Sequence, residues 1–245
     1  MGDVWWPAHK PNSAARAKLL CFPYAGGSSA AYRSWIAQLG PEIEVAAIEL
    51  PGRSHRFGEE PARNLAALLP DLAGAVSRIT DHRPFAFFGH SMGTAIAYEL
   101  ARYLEEKGAR LPVRLFLSGS GPDDDEDPLH VLNDKDLVAR LRKLGGIPDE
   151  VYENAELMEL VLPILRADLE LVETHPFPKD RKVSVPIDGL GGDSDPEVSA
   201  EDIARWQAFT TTGGATHILA GGHFFLRDQE KTLLALVKDA LLKAK

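Results

Sequence analysis

Short apolar runs alternate along the chain with longer segments whose apolar residues recur at helical spacing. The runs at 18–22, 45–50, 85–88, 113–118, 187–190 and 216–219 read as strands. The segments at 32–39, 65–79, 94–106, 200–209 and 225–242 read as helices. Strands apolar on both faces and joined by helices imply a mostly parallel sheet covered on each side. The expected class is α/β.

One stretch breaks the alternation. Between 123 and 176 there is no strand pattern, only an acidic run at 123–127, read as a solvated loop, and two helical segments. The first, 134–144, places Leu137, Val138, Leu141 and Leu144 on one face. The second, 154–174, is apolar around much of its circumference, with Leu157, Leu160, Val161, Leu162, Ile164, Leu165, Leu169 and Val172. Such a helix must bury more than one face, and Pro163 should kink or interrupt it. Two readings stand side by side: a lid over a hydrophobic pocket, or a helical extension of the core.

Composition narrows the class. At 245 residues the chain, 1–245, is expected to be a single domain with this insertion. Its 27 basic and 36 acidic residues leave a formal charge of −9 with no basic run, so no nucleic-acid partner is expected. The single cysteine, Cys21, lies in the apolar run Leu19-Leu20-Cys21-Phe22 and reads as a buried thiol in a reducing compartment. The N-terminal segment carries Trp5, Trp6 and Pro7 among polar residues, without the pattern of a signal peptide. No apolar run approaches the ~18 residues of a membrane span. A cytoplasmic protein, with no membrane partner, is expected.

The chemistry concentrates at Gly89-His90-Ser91-Met92-Gly93, between an aromatic strand and an Ala-rich helix. A serine in this setting sits on a turn so sharp that only glycines fit beside it, and its Oγ is held at a helix N-terminus. Free amides and the helix dipole there favour a developing negative charge. The plainer alternative is a glycine-rich strand-to-helix turn without chemistry. His90 adjoins the serine but diverges from it, so it is expected to pack beside the turn.

A nucleophilic serine needs a base and an orienting carboxylate, which in this arrangement follow in the order Ser, Asp, His. Of eight histidines, His223 has the best address, after the last strand in Gly221-Gly222-His223-Phe224-Phe225-Leu226. His217 falls within the strand, and His9, His55, His82, His130 and His175 lack such a setting. The preceding strand runs into Gly191-Gly192-Asp193-Ser194-Asp195-Pro196-Glu197. Asp195 is preferred as the acid over its loop neighbour Asp193; Asp188 and Glu197 are weaker. The oxyanion hole is assigned to the backbone amides of Met92 and of Ala25, the latter in Phe22-Pro23-Tyr24-Ala25-Gly26-Gly27-Ser28. That loop lacks the spacing of a P-loop or a dinucleotide fingerprint. No metal and no diffusible cofactor is called for.

Taken together, Phe22 to Ser28, Leu50-Pro51-Gly52-Arg53, Phe88 to Gly93, Leu144-Gly145-Gly146, Gly192 to Pro196 and Gly221 to Leu226 resemble the type II thioesterases. These stand-alone α/β-hydrolases accompany polyketide and nonribosomal peptide synthases. The resemblance spans nearly the whole chain. It implies Ser91 as nucleophile, His223 as base, Asp195 as acid and a helical lid at 123–176. It also implies a monomer hydrolysing acyl groups from the phosphopantetheine arm of an acyl or peptidyl carrier protein. Carrier proteins of this kind are typically acidic, so docking should use a local basic patch. Arg53 and Arg56, or Arg140, Arg142 and Lys143, are candidates, against the plainer reading of solubilising charge. Tyr24 departs from the histidine common in the family, and Asp188 and Gly189 stand where apolar strand residues belong. A carboxylesterase of small oxygen esters, an acyltransferase and a non-catalytic protein of the same fold are the competing readings.

Overall fold

The computed structural model describes residues 3–122, 128–177 and 182–243, so the acidic run at 123–127 lies outside the described residues. Six strands, β1 (Ala17–Phe22), β2 (Ile43–Ala47), β3 (Phe85–His90), β4 (Arg114–Ser118), β5 (Ile187–Gly192) and β6 (Gly214–Leu219), form one sheet in the order β2-β1-β3-β4-β5-β6. All neighbouring pairs are parallel. The helices are α1 (Arg33–Leu39), α2 (Leu65–Ile79), α3 (Met92–Glu106), α4 (Asp134–Leu144), α5 (Asp149–Tyr152), α6 (Ala155–Glu173), α7 (Ala200–Ala204), α8 (Phe225–Asp228) and α9 (Glu230–Lys243).

Successive side chains of a strand point to opposite faces, and the core divides accordingly. Leu20, Phe22, Phe85 and Phe87 pack with Leu69 and Leu72 of α2 and Ile96 and Leu100 of α3. Leu19, Cys21, Ala86 and Phe88 pack on the other face with Trp35 of α1 and Leu233 and Val237 of α9. Both registers of β1 and β3 are thus apolar, and the runs read as continuous. Cys21 is fully enclosed, and burial pushes its thiol pKa well up. Trp5 and Trp6 join the first face, where the Trp6 indole donates to the Ala75 carbonyl at 3.0 Å. Among the described residues no helix is long and apolar enough to cross a membrane.

Four expectations shift. β6 is not buried on both faces: among the described residues it pairs only with β5, and exposed and half-buried residues alternate along it. The segment 225–242 breaks at Gln229 into α8 and α9, and 200–209 divides into α7 and a 3-10 turn. α6 runs unbroken through Pro163, which faces solvent. The burial of α6 changes along its length. Leu165, Ala167, Asp168, Leu169 and Leu171 are buried in its second half, whereas Leu157 and Leu160 near its start are exposed. Leu165 and Leu169 close on Leu137 and Leu141 of α4, forming a small apolar cluster between β4 and β5 in sequence.

Asp188 and Gly189 acquire reasons. The Asp188 carboxylate accepts from the Arg114 guanidinium at 2.6 Å and from the Ala215 amide at 3.0 Å, which ties β4, β5 and β6 together. A Cβ on Gly189 would stand 2.9 Å from the Ile203 side chain, so the bare backbone lets α7 approach β5.

Candidate active site

The strand order reverses direction beside β1, since the chain leaves β1 for β2 and then crosses back to β3. Such a switch point opens a crevice at the C-terminal strand ends. The loop after β1 and the turn after β3 meet there, and each carries residues singled out in the sequence.

Ser91 occupies the turn between β3 and α3 with φ 52° and ψ −120°, a conformation rarely tolerated by a residue with a side chain. The neighbouring glycines are required by contact. A Cβ on Gly89 would lie 2.0 Å from the Gly93 carbonyl oxygen, and one on Gly93 would lie 2.1 Å from that of Phe22. The turn is pinned by the Ser91 amide donating to the Ser118 carbonyl at 2.8 Å. Met92 begins α3, where the first amides have no partner within the helix. Ala25 lies in the opposing loop after β1, half-buried against the main core.

The loops after β5 and β6 are stitched together. The Asp193 amide donates to Leu219 and the Ser194 amide to Gly221, at 2.8 and 3.0 Å. Out of this pair rises the contact His223 Nδ1 to Asp195 Oδ2, 2.8 Å long, with both side chains nearly sealed from solvent. The other Asp195 oxygen accepts the Glu197 amide at 3.0 Å, which fixes the carboxylate. Asp193 points elsewhere: it accepts from the Gly221 amide and the Ser194 hydroxyl, which hold its carboxyl below the usual range.

His90 packs beside the turn. Its ring lies 5.2 Å from that of His223 and contacts Phe224, Phe225 and Tyr24. Its Nδ1 meets the Ser118 hydroxyl at 2.9 Å, and Nε2 has no partner among the described residues. Burial, then the charges of His223 and Arg227, push its pKa well below that of a free imidazole, so His90 is neutral. His223 is thereby brought to the residue preceding Ser91. The Ser91 hydroxyl itself makes no hydrogen bond among the described residues, and such contacts commonly tighten only when substrate arrives. A cleft of about 470 Å³ opens at His223, lined also by Ser194, Gly222, Phe224, Arg227 and Lys143.

Comparison with known proteins bears directly on this geometry. A family model described as a thioesterase domain matches residues 17–241. The chain is 36% identical to the gramicidin S biosynthesis protein GrsT of Aneurinibacillus migulanus, over 95% of this chain and 91% of that one. The structure of BorB, a type II thioesterase from the borrelidin biosynthetic cluster, superposes with a TM-score of 0.87 at 35% identity, covering 98% and 99% of the two chains. The chain belongs to the thioesterase family. A further relative, the linear gramicidin dehydrogenase LgrE of Brevibacillus parabrevis, is 35% identical over 97% of this chain and 92% of its own. The thioesterase described here has no dinucleotide-type G-x-G-x-x-G after β1.

One expectation about this thioesterase is corrected. Arg53 and Arg56 are buried, with 5% and 6% of their surface exposed, and present no docking charge. The Arg56 guanidinium is held by Glu59, by the Glu49 carbonyl and over the Trp5 ring. Arg53 is held by Asp168 of α6 at 2.6 and 2.7 Å. On α4, Arg140 reaches Glu197 and Arg142 reaches Asp149, leaving Lys143 facing the cleft.

The sequence reading also missed two connections. Arg227 of α8 donates to the carbonyls of Gly145 and Gly146 and to the Tyr24 hydroxyl, at 3.1 to 3.2 Å. Tyr24, the departure from the family pattern, is therefore part of a link between the loop after β1, α8 and the end of α4. Asp168 was the other, and its signal was in the chain: a carboxylate between Ala167 and Leu169 on the face of α6 that Leu165 buries.

Proposed function

We propose that the enzyme hydrolyses acyl thioesters carried on the phosphopantetheine arm of a carrier protein, using Ser91, His223 and Asp195. The observation that carries the reading is the sealed 2.8 Å contact of Asp195 with His223, set beside the strained turn that presents Ser91 in a thioesterase. His223 Nε2 takes the proton of Ser91 as Oγ attacks the thioester carbonyl, and Asp195 stabilises the imidazolium. The oxyanion receives hydrogen bonds from the Ala25 and Met92 amides. The carbon–sulfur bond breaks, the thiol leaves with the proton from His223, and an acyl-serine remains. Water, deprotonated by His223, attacks this ester. Collapse returns the proton to Ser91 and releases the free acid, which clears a blocked carrier.

In the same reading the segment from 123 to 176 is a lid. Its apolar cluster of Leu137, Leu141, Leu165 and Leu169 stands against Ala25 of the oxyanion loop. The partner is an acyl or peptidyl carrier protein, the enzyme a monomer, and the compartment reducing and cytoplasmic, in keeping with the lone buried Cys21.

Mass spectrometry of an acyl-loaded carrier protein tests the reading. Wild-type enzyme is expected to release the acid, and Ser91→Ala to lose at least about a thousandfold in rate. A matched oxygen ester in a parallel reaction should turn over more slowly than the carrier thioester. Undiminished hydrolysis by Ser91→Ala would remove the nucleophile assignment.

A further inference from the structure

The loop after β1 contains a four-residue turn, Tyr24 to Gly27, closed by the Gly27 amide donating to the Tyr24 carbonyl at 2.8 Å. Gly26, third in the turn, has φ +74°, while Ala25 before it has no positive φ, the pattern of a type II turn. Relative to the commoner type I, this form turns over the peptide between Ala25 and Gly26 and aims the Gly26 N–H away from the turn. That N–H needs a partner, and α6 supplies it. The Gly26 amide donates to Asp168 Oδ2 at 2.7 Å.

The same carboxylate is clamped from its other side. Arg53 donates to both Asp168 oxygens, at 2.7 and 2.6 Å, and its NH1 group donates to the Gly27 carbonyl at 3.0 Å. Asp168 and Arg53 thus hold two successive groups of the turn between them, although they are 115 positions apart in sequence. Only 1% of Asp168 and 5% of Arg53 is exposed. A buried ion pair is tolerated where further hydrogen bonds meet its remaining capacity, and here the backbone of this turn provides them. Packing follows the same path. A Cβ on Gly26 would stand 2.6 Å from Leu165, one turn before Asp168 on α6, and Ala25 touches the apolar cluster of α4 and α6.

We propose that Asp168 is a positioning residue of the reaction: from the lid helix it holds the turn that aims the Ala25 amide at the oxyanion. The inference rests on Ala25 being an oxyanion donor. The Ala25 N–H shares a peptide plane with the Tyr24 carbonyl that closes the turn, so its direction depends on the turn staying closed. Seating of α6 and competence of the oxyanion hole are then one event. With α6 lifted, the Gly26 amide and Arg53 both lose their partner.

The test uses the full chain and a small soluble acyl thioester, with Asp168→Asn and the double variant Arg53→Met with Asp168→Leu. Asparagine keeps one acceptor oxygen but sets an amide against Arg53. The double variant leaves no unpaired buried charge, and such replacements are commonly neutral for stability. Binding of an acyl trifluoromethyl ketone, which adds to the serine as an oxyanion, is measured beside binding of the matched amide, which does not. Both variants are expected to lose about 10- to 100-fold in kcat with KM within threefold, less than the roughly 100- to 1000-fold loss of a removed oxyanion donor because the Ala25 amide is misaimed and not removed. Ketone affinity should fall in parallel while amide affinity holds. If Asp168→Asn does not fold, the double variant decides on the same readouts. Wild-type kcat in the folded variant, or a kcat loss with ketone affinity retained, overturns the proposal. Thioester hydrolysis surviving in Ser91→Ala would strike the functional reading separately, whatever the Asp168 variants do.

Discussion

His90 is a buried imidazole one residue from the candidate nucleophile, and its position carries a pH signature. Burial, with the nearby charges of His223 and Arg227, depresses its pKa well below 6.5 in the folded chain. The unfolded chain therefore binds a proton at this site as pH drops through about 6.5, while the folded chain does not. Stability is fully present above that pH and declines below it. Between pH 6.5 and 5.5 the site should remove about 1 kcal/mol. Urea unfolding at the two pH values should show wild type losing that much more than His90→Asn; equal losses would mean that His90 is protonated in the fold. At this scale the sequence was informative where chemistry dictates neighbours. The glycines around Ser91 and the Gly-Gly before His223 reveal their purpose in the chain itself, because a sharp turn at a strand end admits little else. Asp193 and Asp195 could not be separated with the same force. They share a loop, and what divides them is which one faces His223 and which one faces the Gly221 amide.

The elements over the site are held by a few identifiable ties. Arg227 bridges α8 to the end of α4 and to Tyr24, and its side chain is exposed. Exposed bonds of this kind stabilise by about 1 kcal/mol together. Arg227→Ala should raise hydrogen exchange of the amides at 145–147 about five- to tenfold and leave β3 and β4 protected; exchange unchanged at 145–147 would show that Arg227 does not restrain the loop. Helical periodicity located α4 and α6 closely, since Leu137, Leu141, Leu165 and Leu169 do form an apolar seam. It failed on what α6 does at each end. A period reports a face, and α6 buries its second half against the loop after β1 while Leu157 and Leu160 stay exposed. Arg53 was misread for the same reason: clustering with Arg56 in sequence suggested surface charge, but its partner lies on a distant helix.

For the molecule as a whole, the alternation of strands and helices was legible, whereas the order β2-β1-β3-β4-β5-β6 was not, because parallel strands carry no local mark of their neighbours. That order places the loop after β1 against the turn after β3, with Gly93 close to the carbonyls of Phe22 and Pro23. Net charge acts at this scale too. At −9 the enzyme repels an acidic carrier at long range, and salt shortens the reach of that field. The kcat/KM for a carrier-bound thioester should rise about twofold between about 0.02 and 0.15 M salt, with a small uncharged thioester unaffected. A steep fall would mean that a local basic patch, such as the one around Lys143, governs the encounter.

The enclosed thiol of β1 has a practical corollary. Cys21 is the chain's sole cysteine, and its proton is retained deep inside the fold, so reagents seeking a thiolate find none on the native surface. A cysteine installed at exposed Leu157 or Leu160 would be the one labelled position. A fluorophore or spin probe there would report a displacement of α6 against an otherwise silent background.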